Sequence, residues 1–97
     1  MDREMTQEQR EAYEKKLGMY YDAQGRLKQY PSKRPLREIA LSKIAAHFEK
    51  DKIYTEKEVN EIIRQSISFS DVELIRREMF EKKLIGRLRD GSQYSKE

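Results

Sequence analysis

The chain has 97 residues, 40% of them charged and 36% hydrophobic, with a formal net charge of +3, which is one domain's worth of polar but foldable sequence. It has no Cys and a single His, which excludes a disulfide framework, a thiolate nucleophile and a Cys/His zinc site. The charged start Met1 to Thr6 leads into no apolar run, so neither a signal peptide nor a membrane span is expected, and the cytoplasm is the expected location.

Residues 6–17 predict a helix. Thr6-Gln7-Glu8-Gln9 has the spacing of a capping box, in which the Thr oxygen accepts from the N–H three residues on and Gln reaches back. The apolar side is thin, with Ala12, Tyr13 and Leu17, so this helix must dock or fray. Gly18 suits the left-handed position at a helix end. Residues 19–30 read as a turn or small hairpin around Asp22-Ala23-Gln24-Gly25. The stiff linker Pro31-Ser32-Lys33-Arg34-Pro35 then separates an N-terminal helix and basic segment, 1–34, from the expected domain, 35–97.

The first core helix is expected from about Pro35 to Lys50, because Leu41, Ile44, Ala45 and Phe48 make one buried stripe. Residues 51–54 are extended. The second helix starts at a capping box, Thr55-Glu56-Lys57-Glu58, with the stripe Val59, Ile62, Ile63 and Ile67. The third starts at Ser70-Asp71-Val72-Glu73, with Ser70 as cap and the stripe Val72, Ile75 and Met79. A hairpin follows: strands over 84–89 and 92–95 flank Asp90-Gly91, a favoured turn pair. The expected fold class is therefore α+β. It is a winged-helix-like three-helix core with a C-terminal β-hairpin wing, preceded by an N-terminal helix and a short turn or hairpin.

Charge is clustered along the chain. Residues 26–37 hold Arg26, Lys28, Lys33, Arg34 and Arg37 with no acid, and residues 82–89 hold Lys82, Lys83, Arg87 and Arg89 with no acid. Between them, residues 49–61 carry five acids against three bases. If the basic stretches meet in space, the molecule has one positive face, suited to an anionic partner.

The candidate nucleic-acid contacts follow from this. Lys28, Lys33 and Arg34 surround the start of the first core helix, where free N–H groups also favour phosphate, and Tyr30 between them could stack on a base. The competing reading of Tyr30 is a tyrosine covering the core's edge. On the third helix Arg77 points outward and Arg76 sits at the edge, within reach of base edges or phosphate. Against this, Glu73, Arg77 and Glu81 also fit a solvated ion-pair ladder, and residues 71–83 balance four bases with four acids. Arg87 and Arg89 alternate along one strand and share a side, either for phosphate contact or as charges guarding an edge strand. Leu74 and Phe80 lie off the buried stripe and could pack on the wing or form a dimer patch. Capping accounts for Thr55 and Glu58, while Asn60 is either a side-chain-to-backbone partner or a functional group. His47 reads as a surface residue. There is no phosphate loop and no partner for the one His, so no enzymatic activity, cofactor or metal is expected.

The residues 25–33 (Gly-Arg-Leu-Lys-Gln-Tyr-Pro-Ser-Lys), 54–60 (Tyr-Thr-Glu-Lys-Glu-Val-Asn), 75–78 (Ile-Arg-Arg-Glu) and 90–94 (Asp-Gly-Ser-Gln-Tyr) resemble the bacterial domain-of-unknown-function family 2087. The second block is the most specific. The chain departs from the family at Ser95, where an aromatic is usual, and around Lys82-Lys83, where a Tyr-Gly pair is usual. The resemblance implies a winged-helix-like module of bacterial transcriptional regulators, sometimes alone and sometimes behind a separate DNA-binding domain, and it implies no reaction. The expected function is a DNA-binding regulator module of the helix-turn-helix type that grips phosphates through a basic face. The alternative is a protein-interaction or dimerisation module of a regulator, working through Leu74, Phe80 and the N-terminal helix without touching nucleic acid. Structured RNA is a third candidate ligand.

Overall fold

A computed structural model of the chain describes residues 6–88 and 93–97. Its helices are α1 (Gln7–Leu17), α2 (Arg34–Ala45), α3 (Glu56–Ser66) and α4 (Val72–Glu81), and its strands are β1 (Ile53–Thr55), β2 (Ile85–Arg87) and β3 (Gln93–Lys96). The class is α+β. The strands form one antiparallel sheet with β3 in the middle, flanked by β1 and β2. Tyr94 on β3 pairs with Tyr54 on one side and with Arg87 on the other.

Two helix starts follow local chemistry closely. Thr6 and Thr55 both cap as expected, each accepting from the backbone N–H three residues on, with Gln9 and Glu58 completing the boxes. The start of α4 differs from expectation. Asp71 is the cap, accepting from Leu74 N–H at 3.2 Å, so Ser70 lies one residue outside it. A carboxylate is a strong acceptor there and also faces the positive end of the helix.

Two helix ends also differ. Gly18 has a right-handed backbone (φ −54°) and opens a 3-10 turn over Gly18–Tyr20 instead of a left-handed stop. Helix α2 ends at Ala45, earlier than periodicity suggested; residues 46–48 continue as turns, and Phe48 still reaches the core. The end of α4 is built without glycine. Lys83 takes φ 63°, its N–H donates to Phe80 O at 3.0 Å, and Leu84 N–H donates to Met79 O at 2.9 Å. This is a Schellman closure with lysine in the position where glycine is favoured.

One core joins all these elements. Leu36, Ile39, Leu41 and Ile44 of α2 meet Val59 and Ile63 of α3, Ile75 and Met79 of α4, and Ile85 and Tyr94 of the sheet. The segment before the proline-rich stretch shares that core through Leu17 and Leu27, both buried. Leu27 pairs with Tyr21 across the turn at Asp22–Gly25, and its N–H and C=O bond to Ser66 O and Ser68 N–H, each at 2.8 Å. Thus α1 docks, but by a narrow contact: Leu17 is its one buried residue. Phe48 meets Tyr54 edge to face, with ring centres 5.1 Å apart. Among the described residues no helix is long and apolar enough to cross a membrane.

Candidate nucleic-acid interface

Helix α4 buries Ile75 and Met79, which turns Glu73, Arg77, Phe80 and Glu81 outward. Phe80 is 41% exposed, so it packs neither on the core nor fully against the sheet. Two depressions adjoin this helix, one along a flank and one at its C-terminal end.

The first depression lies between α4, the start of α3 and the sheet. Arg76, Arg77 and Arg87 line it with Glu56, Glu73, Phe80 and Tyr94. Arg87 shares a sheet face with Ile85, two residues before it, and pairs directly with Tyr94. Its guanidinium lies 5.9 Å from the centre of the Tyr94 ring. The Tyr94 hydroxyl donates to Glu56 Oε1 at 3.3 Å, tying the sheet to α3. Arg87 thus projects toward α4, not away from the body. Arg89 and the Asp90-Gly91 turn lie outside the described residues, so the expected pairing of Arg87 with Arg89 does too.

Arg76 and Arg77 have different surroundings. Arg76 is only 16% exposed and its Nη1 donates to Asn60 Oδ1. Its Nη2 lies 3.8 Å from Glu73 and 4.0 Å from Glu56. It therefore binds α4 to α3, and Asn60 acquires its physical reason as an acceptor across the helix pair. That partnership spans sixteen residues between helices, beyond the reach of any i,i+4 rule. Arg77 is exposed and, among the described residues, makes no ion pair. The ladder of Glu73, Arg77 and Glu81 is not formed there; Glu73 turns to Arg76 instead.

The second depression lies between α2 and the C-terminal end of α4. Arg34, Glu38, Leu41 and Ser42 face Glu81, Lys82 and Leu84 across it. Arg34 pairs with Glu38 at 2.9 Å, one turn along α2. Both depressions thus mix signs: three arginines with two carboxylates in one, and two cations with two carboxylates in the other. Lys82 stood in a basic run in the sequence, but only packing brings it opposite Arg34.

The other expected contacts lie elsewhere. The Tyr30 hydroxyl donates to Glu78 Oε1 at 2.8 Å, and Arg37 lies 5.8 Å from its ring centre. Burial, then the bond to the Glu78 carboxylate, raises its pKa above the ordinary tyrosine value. Lys33 precedes α2 as its cap residue and lines a separate depression with Lys16 and Met19. Lys28 is exposed, its N–H bonded to Tyr20 O at 2.8 Å. His47 is exposed, as expected, and lines a fourth depression with Arg26 and Lys43. Among the described residues no cluster of three or more His, Cys, Asp or Glu could hold a metal ion.

Residues 26–96 match the model of a family described as "Uncharacterized protein conserved in bacteria (DUF2087)". No curated protein and no solved structure is significantly similar to the chain.

Proposed function

We propose that this chain, which belongs to the bacterial family DUF2087, is a winged-helix module that binds duplex DNA in the service of transcription regulation. The connectivity from α2 onward supports the first half of that reading: helix, strand, helix, helix, strand, strand, with β3 between β1 and β2. In that architecture α3 and α4 form a helix-turn-helix, α4 enters the major groove, and the β2–β3 hairpin is the wing.

One observation carries the second half. Cations sit around α4, Arg77 and Arg87 along its outer side and Arg34 and Lys82 at its C-terminal end. A helix lying in the major groove runs between two phosphate strands, for which these cations are donors. Arg77 is the side chain best positioned for a base edge; Arg76 orders the helix through Asn60 and Glu73. Tyr30 is left out of this reading, because its ring packs partly against the core, with its hydroxyl bonded to Glu78. Glu73 and Glu81 on the same outward surface hold the affinity down, so binding belongs to low ionic strength.

Titration of labelled duplex DNA at two salt concentrations tests the reading. Affinity should fall as salt rises, because each phosphate contact releases a counterion. Arg87→Glu, Arg34→Glu and Lys82→Glu should each weaken binding and flatten the salt slope by about one phosphate contact. Unaltered affinity in all three would remove the flanking cations from the account.

A second reading is favoured by the exposure of Phe80 on the outward surface of α4. There α4 would face a second protein, with no nucleic acid involved. No DNA binding at low salt, together with a concentration-dependent dimer abolished by Phe80→Glu, would replace the first reading with this one.

A further inference from the structure

We propose that the depression between the end of α1 and the start of α2 is a docking site for an acidic peptide segment that also carries an apolar side chain. Lys16, Met19, Tyr20, Gln29, Lys33 and Leu36 line it. Its charge differs from that of the other three depressions described. Those contain carboxylates, Glu14 in one, Glu38 and Glu81 in the second, and Glu56 and Glu73 in the third. This one has two lysines and no acid.

The local sequence keeps it so. One turn before Lys16 on α1 stand Ala12 and Tyr13, and one turn after Lys33 on α2 stand Leu36 and Arg37. Among the described residues neither lysine forms an ion pair, whereas Arg10 and Arg34 on the same two helices each hold a glutamate. At the edge of the depression Met19 is 75% exposed, the highest value among the large hydrophobic residues described. Leu36 is buried and Tyr20 half-buried, so Met19 stands beside an apolar floor.

These two properties together select the occupant. A phosphate chain would satisfy the lysines but leave Met19 in water. A neutral apolar surface would cover Met19 while stripping water from two unpaired ammonium groups, which costs more than it returns. A peptide with carboxylates beside a leucine or phenylalanine answers both demands, and the flexible thioether adapts to the apolar side chain. Anionic membrane recognition normally draws on a cluster of about four to eight cations, more than are gathered here. This inference does not rest on the DNA reading, because none of the residues flanking α4 takes part in it.

The test is panning of a random peptide library displayed on bacteriophage against the full chain. The expected result is enrichment of peptides with carboxylates flanking an apolar residue. A synthetic copy of an enriched peptide should bind Met19→Glu and Lys16→Glu at least about tenfold more weakly than the parent. Thermal unfolding of both variants must match the parent, and Met19→Leu should keep the affinity. Failure to enrich any acidic peptide overturns the proposal, and so does binding indifferent to Met19 and Lys16. Lys16-dependent binding of phosphatidylserine vesicles or duplex DNA, with no peptide binding, overturns it in favour of those ligands. Loss of DNA binding by Arg87→Glu with peptide binding intact separates this site from the α4 flanks.

Discussion

Helices α1 and α3 begin with the same device and end in different situations. Each opens on a threonine capping box, and each has eleven residues. Helix α3 buries Val59 and Ile63, places Ile62 against the core, and lends Asn60 to α4. Helix α1 buries only Leu17, with Tyr13 packed partly against the core. A cap decides where a helix starts, and burial decides how tightly it is held to the rest. The end of α4 is the reverse case. Its local residue is unfavourable, a lysine at φ 63°, and the stop is nonetheless built because Met79 and Ile85 on either side are buried.

The largest effect is expected in the core. Ile63→Ala should cost about 2–5 kcal/mol in denaturant unfolding, because Ile63 is fully buried and its removal leaves a cavity. A loss below about 1 kcal/mol would mean that α3 is not the anchored element. The caps sharpen the contrast. Thr55→Ala should lower global stability by about 1 kcal/mol, while Thr6→Ala should leave it nearly unchanged and instead speed amide hydrogen exchange within α1. Equal effects on global stability would show that α1 unfolds together with the core. A somewhat smaller gain is expected at the third site. Lys83→Gly should stabilise by about 0.5–1 kcal/mol, since glycine takes the left-handed backbone without a Cβ penalty.

The smallest effect concerns pH. Tyr30 has its pKa raised above 10.0, first by burial and then by its bond to Glu78, and burial raises that of Tyr21 as well. The native state thus holds these protons more tightly than the unfolded chain does. Their contribution is complete below the ordinary tyrosine value and is lost as pH climbs through the raised one. Stability should therefore fall above about pH 10, and Tyr30→Phe should make the fall shallower. An unchanged alkaline slope in Tyr30→Phe would assign the decline to other groups.

Much of the architecture was legible because its signals are local. The capping boxes at Thr6 and Thr55, the apolar stripes of α2 to α4 and the turn at Asp22–Gly25 each depend on residues within a few positions of one another. The structure departs from the local signals where two local candidates compete. Ser70 and Asp71 both suit a cap, and the carboxylate took the role. Gly18 can adopt the left-handed backbone but is not required to. The site was less legible. The apolar stripe of α4 puts Arg77 outward and Arg76 at the edge, as found, but the bond from Arg76 to Asn60 joins two helices and no local rule gives it. Tyr30 bonds Glu78 of α4 through its hydroxyl and packs its ring partly against the core, and both contacts come from residues distant in the chain.

What the amino-acid order settled alone is the set of helices, their apolar faces and most of their starting points, because backbone bonding and periodicity act over three to seven residues. What only the folded chain decided is which distant charges share a place on the surface. Arg34 faces Lys82, Arg87 turns over Tyr94 toward α4, and Lys16 joins Lys33 around Met19. Coulomb energy depends on distance through space, and distance through space is set by how the core packs.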